Sequence, residues 1–244
     1  SVFTAAEILM ELEENPLEEQ GEPIYLNKAE GGVGIKFSNV TYAYDDGKRN
    51  VIDNLTFDFK PNSCTAILGE TGAGKTTIVR LILALLHPVK GNVTIYNKVE
   101  EKDISPRIRC NLVYVPQGNT LLSGSIRDNL RMGRLNATDE EMYAALDKAC
   151  AGFVKELPDG LATNCAEAGG GLSEGQAQRI AIARALLREG CVMIFDEATS
   201  ALDPETERTL LKNLLGEHSH TIIFITHRPA VVDYCDNVLR IGNE

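Results

Sequence analysis

The sequence predicts an α/β chain: a mainly parallel β-sheet, an antiparallel β-subdomain ahead of it and an α-helical subdomain inserted between its strands. Three observations carry that expectation. Short apolar runs at 64–68 (CTAIL), 112–115 (LVYV), 191–195 (CVMIF) and 221–225 (TIIFI) lack clean alternation, as strands covered on both faces do. From Ile35 to Phe59, apolar and polar residues alternate around the turn-like Asp45-Asp46-Gly47, a pattern of antiparallel strands. Between Gly118 and Gly171 the period turns helical, and Thr138 and Glu141 are spaced as a capping box ahead of Met142, Ala145, Leu146 and Ala149.

The first thirty residues read differently. Ala5 to Glu14 has the spacing of a short amphipathic helix, and Asn15-Pro16 with Gly21-Glu22-Pro23 reads as a tether. The expected organisation is a leading segment over 1–32 and one domain over 33–244, its helical subdomain at about 118–176. Because the chain starts at Ser1, it is expected to be cut from something larger.

Composition narrows the function classes. A hydrophobic content of 43% over 244 residues suffices for a core without staples. The net charge of −11, with no basic stripe, argues against a nucleic-acid partner. No apolar run approaches the ~18 residues needed to cross a bilayer. The six cysteines show no C-x-x-C pair and no metal-ligand spacing, so they are expected to be reduced, buried thiols of a cytosolic compartment.

Two motifs point to chemistry. Gly69-Glu70-Thr71-Gly72-Ala73-Gly74-Lys75-Thr76-Thr77 fits G-x-x-x-x-G-K-[ST], the Walker A phosphate loop, between an apolar run and a helix expected over Thr76 to Leu86. Its glycines let backbone N–H groups close on an anion, Lys75 would reach the β- and γ-phosphates, and the Thr76 hydroxyl would ligate Mg²⁺. After the run 191–195 comes an acidic pair. Asp196 would hold the magnesium through water, and Glu197, one residue farther out, would polarise the attacking water. The fold is therefore expected to be a P-loop NTPase core that takes ATP with Mg²⁺. The 64–68, 112–115, 191–195 and 221–225 runs each end in a polar or glycine-rich cluster, where open α/β sheets bind ligands.

Leu172-Ser173-Glu174-Gly175-Gln176, followed by Arg179-Ile180-Ala181-Ile182-Ala183-Arg184-Ala185-Leu186, resembles the signature of ATP-binding-cassette (ABC) ATPases. Physically, Ser173 and Gln176 are placed to cap a helix. The resemblance implies that this helix end, with Ser173, Gly175 and Gln176, faces the γ-phosphate held by a second ABC ATPase domain, so that two domains pair head to tail as a homodimer or heterodimer. It further implies that Gln117 touches Mg²⁺ and senses a transmembrane domain. Asp203, at the end of Ser200-Ala201-Leu202-Asp203, would cross the pairing interface, His227 would contact the γ-phosphate and support Glu197, and Tyr44 would stack on adenine.

The leading helix and the segment 119–130 are similar to exporters in which membrane and ATPase domains share one polypeptide, which places the domain at the cytoplasmic face of the membrane. Two residues depart from the family's pattern: Glu174 stands where glycine is usual, and Ala177 where a basic residue is common. The resemblance also admits a soluble ABC ATPase of DNA repair or translation, or a weakly hydrolysing regulatory domain, as alternatives.

Overall fold

A computed structural model describes residues 7–12, 21–26, 30–44, 49–70, 72–165 and 171–242. The expected turn at Asp45-Asp46-Gly47, the Asn15-Pro16 tether and Thr71 lie outside them. The described residues divide into two compact units, the first holding 1–113, 190–194 and 218–244, the second 114–189 and 195–217.

Among the described residues two sheets are formed. One, within the first unit, is four-stranded, in the order β2-β1-β4-β5, built from β1 (Gly34–Ala43), β2 (Asn50–Phe59), β4 (Lys90–Tyr96) and β5 (Glu101–Asp103). The alternation read from the sequence becomes an antiparallel ladder that pairs Ile35 with Phe59 and Phe37 with Phe57. Phe37, Phe57 and Phe59 then meet edge to face, with ring centroids 4.8–5.9 Å apart. The strands β4 and β5 were not legible in the sequence, because KGNVTIY and EKD carry few apolar residues; they exist because β1 offers its free edge to β4.

The other sheet has the order β6-β7-β8-β3-β9, from β3 (Cys64–Leu68), β6 (Leu112–Pro116), β7 (Val192–Asp196), β8 (Thr221–Ile225) and β9 (Asn237–Arg240). All the apolar runs read as parallel strands are strands, and β3 runs parallel to both β8 and β9. The short β9 went unread; pairing with β3 makes a strand of a segment whose own pattern is weak.

Helix α1, residues 7–12, buries Ile8 and presents Glu7 and Glu11 to Arg80 of α2 (Gly72–Ile82). Helix α2 starts four residues before the expected Thr76 and ends before Leu86. Its early start winds Gly72 to Lys75 into the first turn. Its end is fixed by the Arg109 guanidinium, which donates to the Leu83 and Ala84 carbonyls at 2.6 and 3.2 Å and so satisfies orphaned acceptors at the negative end of the helix.

The second unit is mainly helical: α3 (Ile126–Arg131), α4 (Asp139–Lys148), α5 (Glu174–Leu187) and α6 (Pro204–Leu215), with 3₁₀ turns at Gly152–Glu156 and Gly160–Ala162. The capping boxes of Thr138 with Glu141 and of Ser173 with Gln176 are both formed, and Ser125 with Asp128 makes a third. Helix α7 (Pro229–Tyr234) returns to the first unit. Of the six cysteines only Cys64 is buried; the other five are half-buried, so the expectation of uniformly buried thiols fails. No helix among the described residues is long and apolar enough to cross a membrane.

Candidate functional site

Parallel pairing decides what gathers at the end of β3. Ile67 stands beside Ile225 of β8, and Leu68 beside Arg240 of β9, so the chain leaves all three strands at one edge. There Leu68, Gly69, Glu70, His227, Arg240, Ile241 and Gly242 line a pocket of about 810 Å³. The loop lies tight against its neighbour: a Cβ on Gly69 would sit 2.5 Å from the Ile241 carbonyl oxygen, and one on Gly74 would strike the Ile241 side chain. Only glycine lets the backbone pass this close. Helix α2 then begins with no acidic residue in its first turn, so the positive end of its dipole is not neutralised from within.

Lys75 projects from that turn, only 4% exposed, and its Nζ lies 3.0 Å from Nε2 of His227. An ammonium has donors only, so Nε2 is the acceptor and the ring proton belongs on Nδ1. Thr76 is half-buried and Glu70 is exposed. Thr77 is fully buried, its Oγ1 3.0 Å from the Tyr44 hydroxyl. Tyr44 stands just past β1, 40% exposed, with its ring edge-on to Tyr42 at 5.2 Å. The pair therefore leaves one aromatic in solvent beside the loop's helix.

In the second unit, the Tyr114 hydroxyl of β6 donates to Asp196 Oδ2 of β7 at 2.6 Å. The next residue, Glu197, has φ 54°, a left-handed conformation that costs a non-glycine residue about 1–2 kcal/mol. Asn39, Asn54, Asn62, Ala84, Cys150 and His218 share the left-handed region, and among these residues Glu197 is the carboxylate. Gln117 follows β6 and is half-buried.

Ser173 caps α5 from an exposed position, its Oγ accepting from the Gln176 N–H at 3.1 Å, while its own N–H donates to Gln176 Oε1 at 2.9 Å. Gly175 abuts the Ala201 carbonyl, which a Cβ would approach to 2.8 Å; the Ala201 N–H donates to Gln178 Oε1 at 3.2 Å. The signature helix and the segment 200–203 are thus joined through Ala201. Asp203 then caps α6, and the Thr206 N–H and hydroxyl hold its carboxyl below the usual carboxylate range. At the far end of α5, burial followed by the charge of Arg188 pulls Arg184 down to about 10; it stays charged at neutral pH and donates to the Thr120 carbonyl and hydroxyl.

Gly69, Glu70 and His227 thus line one pocket, with Lys75 against His227 and Tyr44 against Thr77, close by in sequence to Lys75; Gly72, Ala73, Gly74 and Thr76 occupy the first turns of α2. Asp196, Glu197, Gln117, Ser173, Gly175, Gln176 and Asp203 belong to the second unit. Sequence reasoning missed Tyr114, Gln178 and Ile241. Gln178 could have been found, since a polar residue at i and apolar Ala181 and Ile182 at i+3 and i+4 share a helix face. Ile241 could not, because its role is backbone proximity.

Residues 52–200 match the family model described as "ABC transporter". The chain is 39% identical over 214 residues to the mitochondrial iron-sulfur clusters transporter ATM1 of Kluyveromyces lactis, covering 86% of this chain and 29% of that protein. It is 41% identical over 218 residues to the beta-(1→2)glucan export ATP-binding/permease protein NdvA of Brucella melitensis, covering 88% of this chain and 36% of that one. Among solved structures, a bacterial Atm1-family ABC exporter with ATP bound superposes with a TM-score of 0.78 at 34% identity, over 91% of this chain and 38% of that chain. The chain therefore spans well under half the length of these relatives. With the cassette motifs in order on an α/β fold shared with that exporter, the chain belongs to the ABC transporter family.

Proposed function

We propose that this chain is the ATP-hydrolysing motor domain of a membrane exporter, and that it works as one of two such domains closing on nucleotide. The observation that carries the proposal is the end of β3, where a glycine-lined loop, a buried lysine and a histidine line or border one pocket.

The residues suit magnesium nucleotide. Among the described residues no three His, Cys, Asp or Glu side chains gather to hold a metal. Mg²⁺ keeps several waters and is bound through one or two carboxylates and substrate phosphates rather than by a dedicated protein cage. Thr76, Asp196 and Gln117 offer hard oxygen donors. Bound there, Mg²⁺ would neutralise charge on the phosphates of the substrate ATP.

The rest is done by the chain's own groups. Backbone N–H groups of 69–76 hold the phosphates, Lys75 stabilises charge on the departing oxygen, and Tyr44 offers its exposed face to adenine. Glu197 accepts the proton of a water aligned with the γ-phosphate, and His227 holds that constellation in place. Ser173 and the start of α5 lie exposed, as a second domain's nucleotide would require. Pairing would pull on a membrane domain through the surface near Gln117, and the domain would sit at the cytoplasmic face.

The reading is tested by phosphate release and by light scattering with and without ATP. The chain should release phosphate, and Glu197→Gln should bind ATP, form stable dimers and release almost none. ATP binding that survives Lys75→Ala undiminished would sink the proposed site. A dimerising wild type that releases no phosphate would reduce the chain to a regulatory domain.

A further inference from the structure

Cys64 opens β3 and is buried; Cys235 ends α7 and is half-buried. Their sulfurs lie 2.9 Å apart, with the Cys64 thiol donating. This proximity is built by backbone. The Cys64 N–H donates to Asp236 Oδ2 and the Asp236 N–H to the Cys64 carbonyl, both at 2.8 Å. The parallel register then pairs Thr65 with Asn237, so residue 235 is held one position from the residue facing Cys64. A disulfide needs sulfurs about 2.05 Å apart and Cβ atoms about 3.5–4.5 Å apart, and closing the remaining gap takes under about 1 Å of movement.

We propose that Cys64 and Cys235 are a thiol–disulfide modification site, closed by low-molecular-weight disulfides into an intrachain bond that staples α7 and β9 to β3. The half-buried Cys235 is the sulfur a small disulfide reaches. Its thiolate attacks RS–SR, forming Cys235–S–SR and releasing RS⁻, which takes up the proton that Cys235 lost. Cys64 then attacks the Cys235 sulfur, displacing the second RS⁻, which takes the Cys64 proton. Two protein thiols are oxidised to one disulfide, and RS–SR is reduced by two electrons to two RSH.

The Cys64 thiol is held well above its usual range by its hydrogen bond to Cys235, by burial and by the charges of Cys235 and Asp236. A neutral thiol is a poor nucleophile, so Cys64 suits the second, intramolecular step, in which proximity compensates. The staple sits at the opposite end of β3 from Gly69, about 16 Å away along a five-residue strand. It therefore stands or falls independently of the nucleotide reading.

The test treats the purified chain with oxidised glutathione, blocks free thiols with N-ethylmaleimide and maps non-reduced peptides by mass. The expected result is a Cys64–Cys235 cross-linked peptide, two fewer blocked thiols per chain, full reversal by dithiothreitol and an unfolding temperature raised by roughly 5–10 °C. In Cys64→Ser the first step should be trapped, leaving glutathione on Cys235, while Cys235→Ser should leave Cys64 reduced. The variants' unfolding temperatures show whether each still folds, and the trapped adduct is read only on folded chain. If the unaltered chain carries glutathione on Cys235 with no cross-link, or if both cysteines stay open to N-ethylmaleimide, the proposal is overturned.

Discussion

Lys75 Nζ and His227 Nε2 lie 3.0 Å apart, so the lysine of the glycine loop and the histidine after β8 already meet in the protein alone. The imidazole accepts from a group that phosphate would also claim. Replacing Lys75 by alanine should weaken ATP binding by roughly 10–100-fold, the loss of a charge-assisted contact of about 1.5–3 kcal/mol. His227→Ala should leave binding within a few-fold and cut turnover. Titration with a fluorescent ATP analogue beside a phosphate-release assay separates the two.

Glu197, the proposed general base, has a left-handed backbone. Glu197→Gln should reduce turnover by about 10²–10⁴-fold without changing ATP affinity. Glu197→Gly should lose activity as fully and relieve about 1 kcal/mol of backbone strain. If its melting temperature falls instead of rising, the strain assignment is wrong.

Gly175 leaves room for the Ala201 carbonyl. Gly175→Ala must push that carbonyl away, at a cost of about 1–3 kcal/mol. It should also weaken ATP-dependent pairing, because the segment 200–203 moves with Ala201. Gln178→Leu removes the acceptor of the Ala201 N–H, which loses about 1–3 kcal/mol if that group stays buried. Equilibrium unfolding and light scattering in ATP report both; a Gly175→Ala chain that pairs like the parent would refute the link.

Glu174 stands exposed in the first turn of α5, where glycine is common in the family's signature. A carboxylate stabilises its own helix end by about 0.3–1 kcal/mol but would repel a phosphate brought to that end. Glu174→Gly should therefore lower the ATP concentration needed for pairing by roughly 2–5-fold while slightly lowering the melting temperature. Unchanged or weaker pairing would mean that no phosphate approaches this turn.

The capping carboxylates supply a pH dependence. Asp128 is held below its ordinary 3.8 by the Ser125 N–H and hydroxyl, and Glu141 below 4.5 by those of Thr138, then by Arg134. Folded values below unfolded ones mean stability that is present above the unfolded values and lost as pH falls through the depressed ones. Between about pH 5 and pH 3, Asp128→Asn with Glu141→Gln should flatten the decline of melting temperature. An unchanged slope would assign acid lability elsewhere.

Short-range patterns were readable without coordinates. The strands β3, β6, β7 and β8 announced themselves because burial on both faces demands unbroken apolar runs. The caps of Thr138 and Ser173 announced themselves because a helix start requires an acceptor at a set spacing. The phosphate-loop motif was legible because its glycines and lysine fall at fixed spacing within one short segment, 69–75. By contrast, β4, β5 and β9 are made by their neighbours, and the early start of α2 went unread because its first turn contains glycines, which have poor helix propensity.

What the sequence determined by itself is the family and the candidate residues for its chemistry, since those depend on residue type and local spacing. Only the tertiary structure decided that Lys75 meets His227, that Tyr114 donates to Asp196, that Ala201 seats against Gly175 and that Cys64 touches Cys235. Each of these depends on strand register or close backbone approach between segments far apart in the chain, and such distances are set by packing rather than by any local pattern.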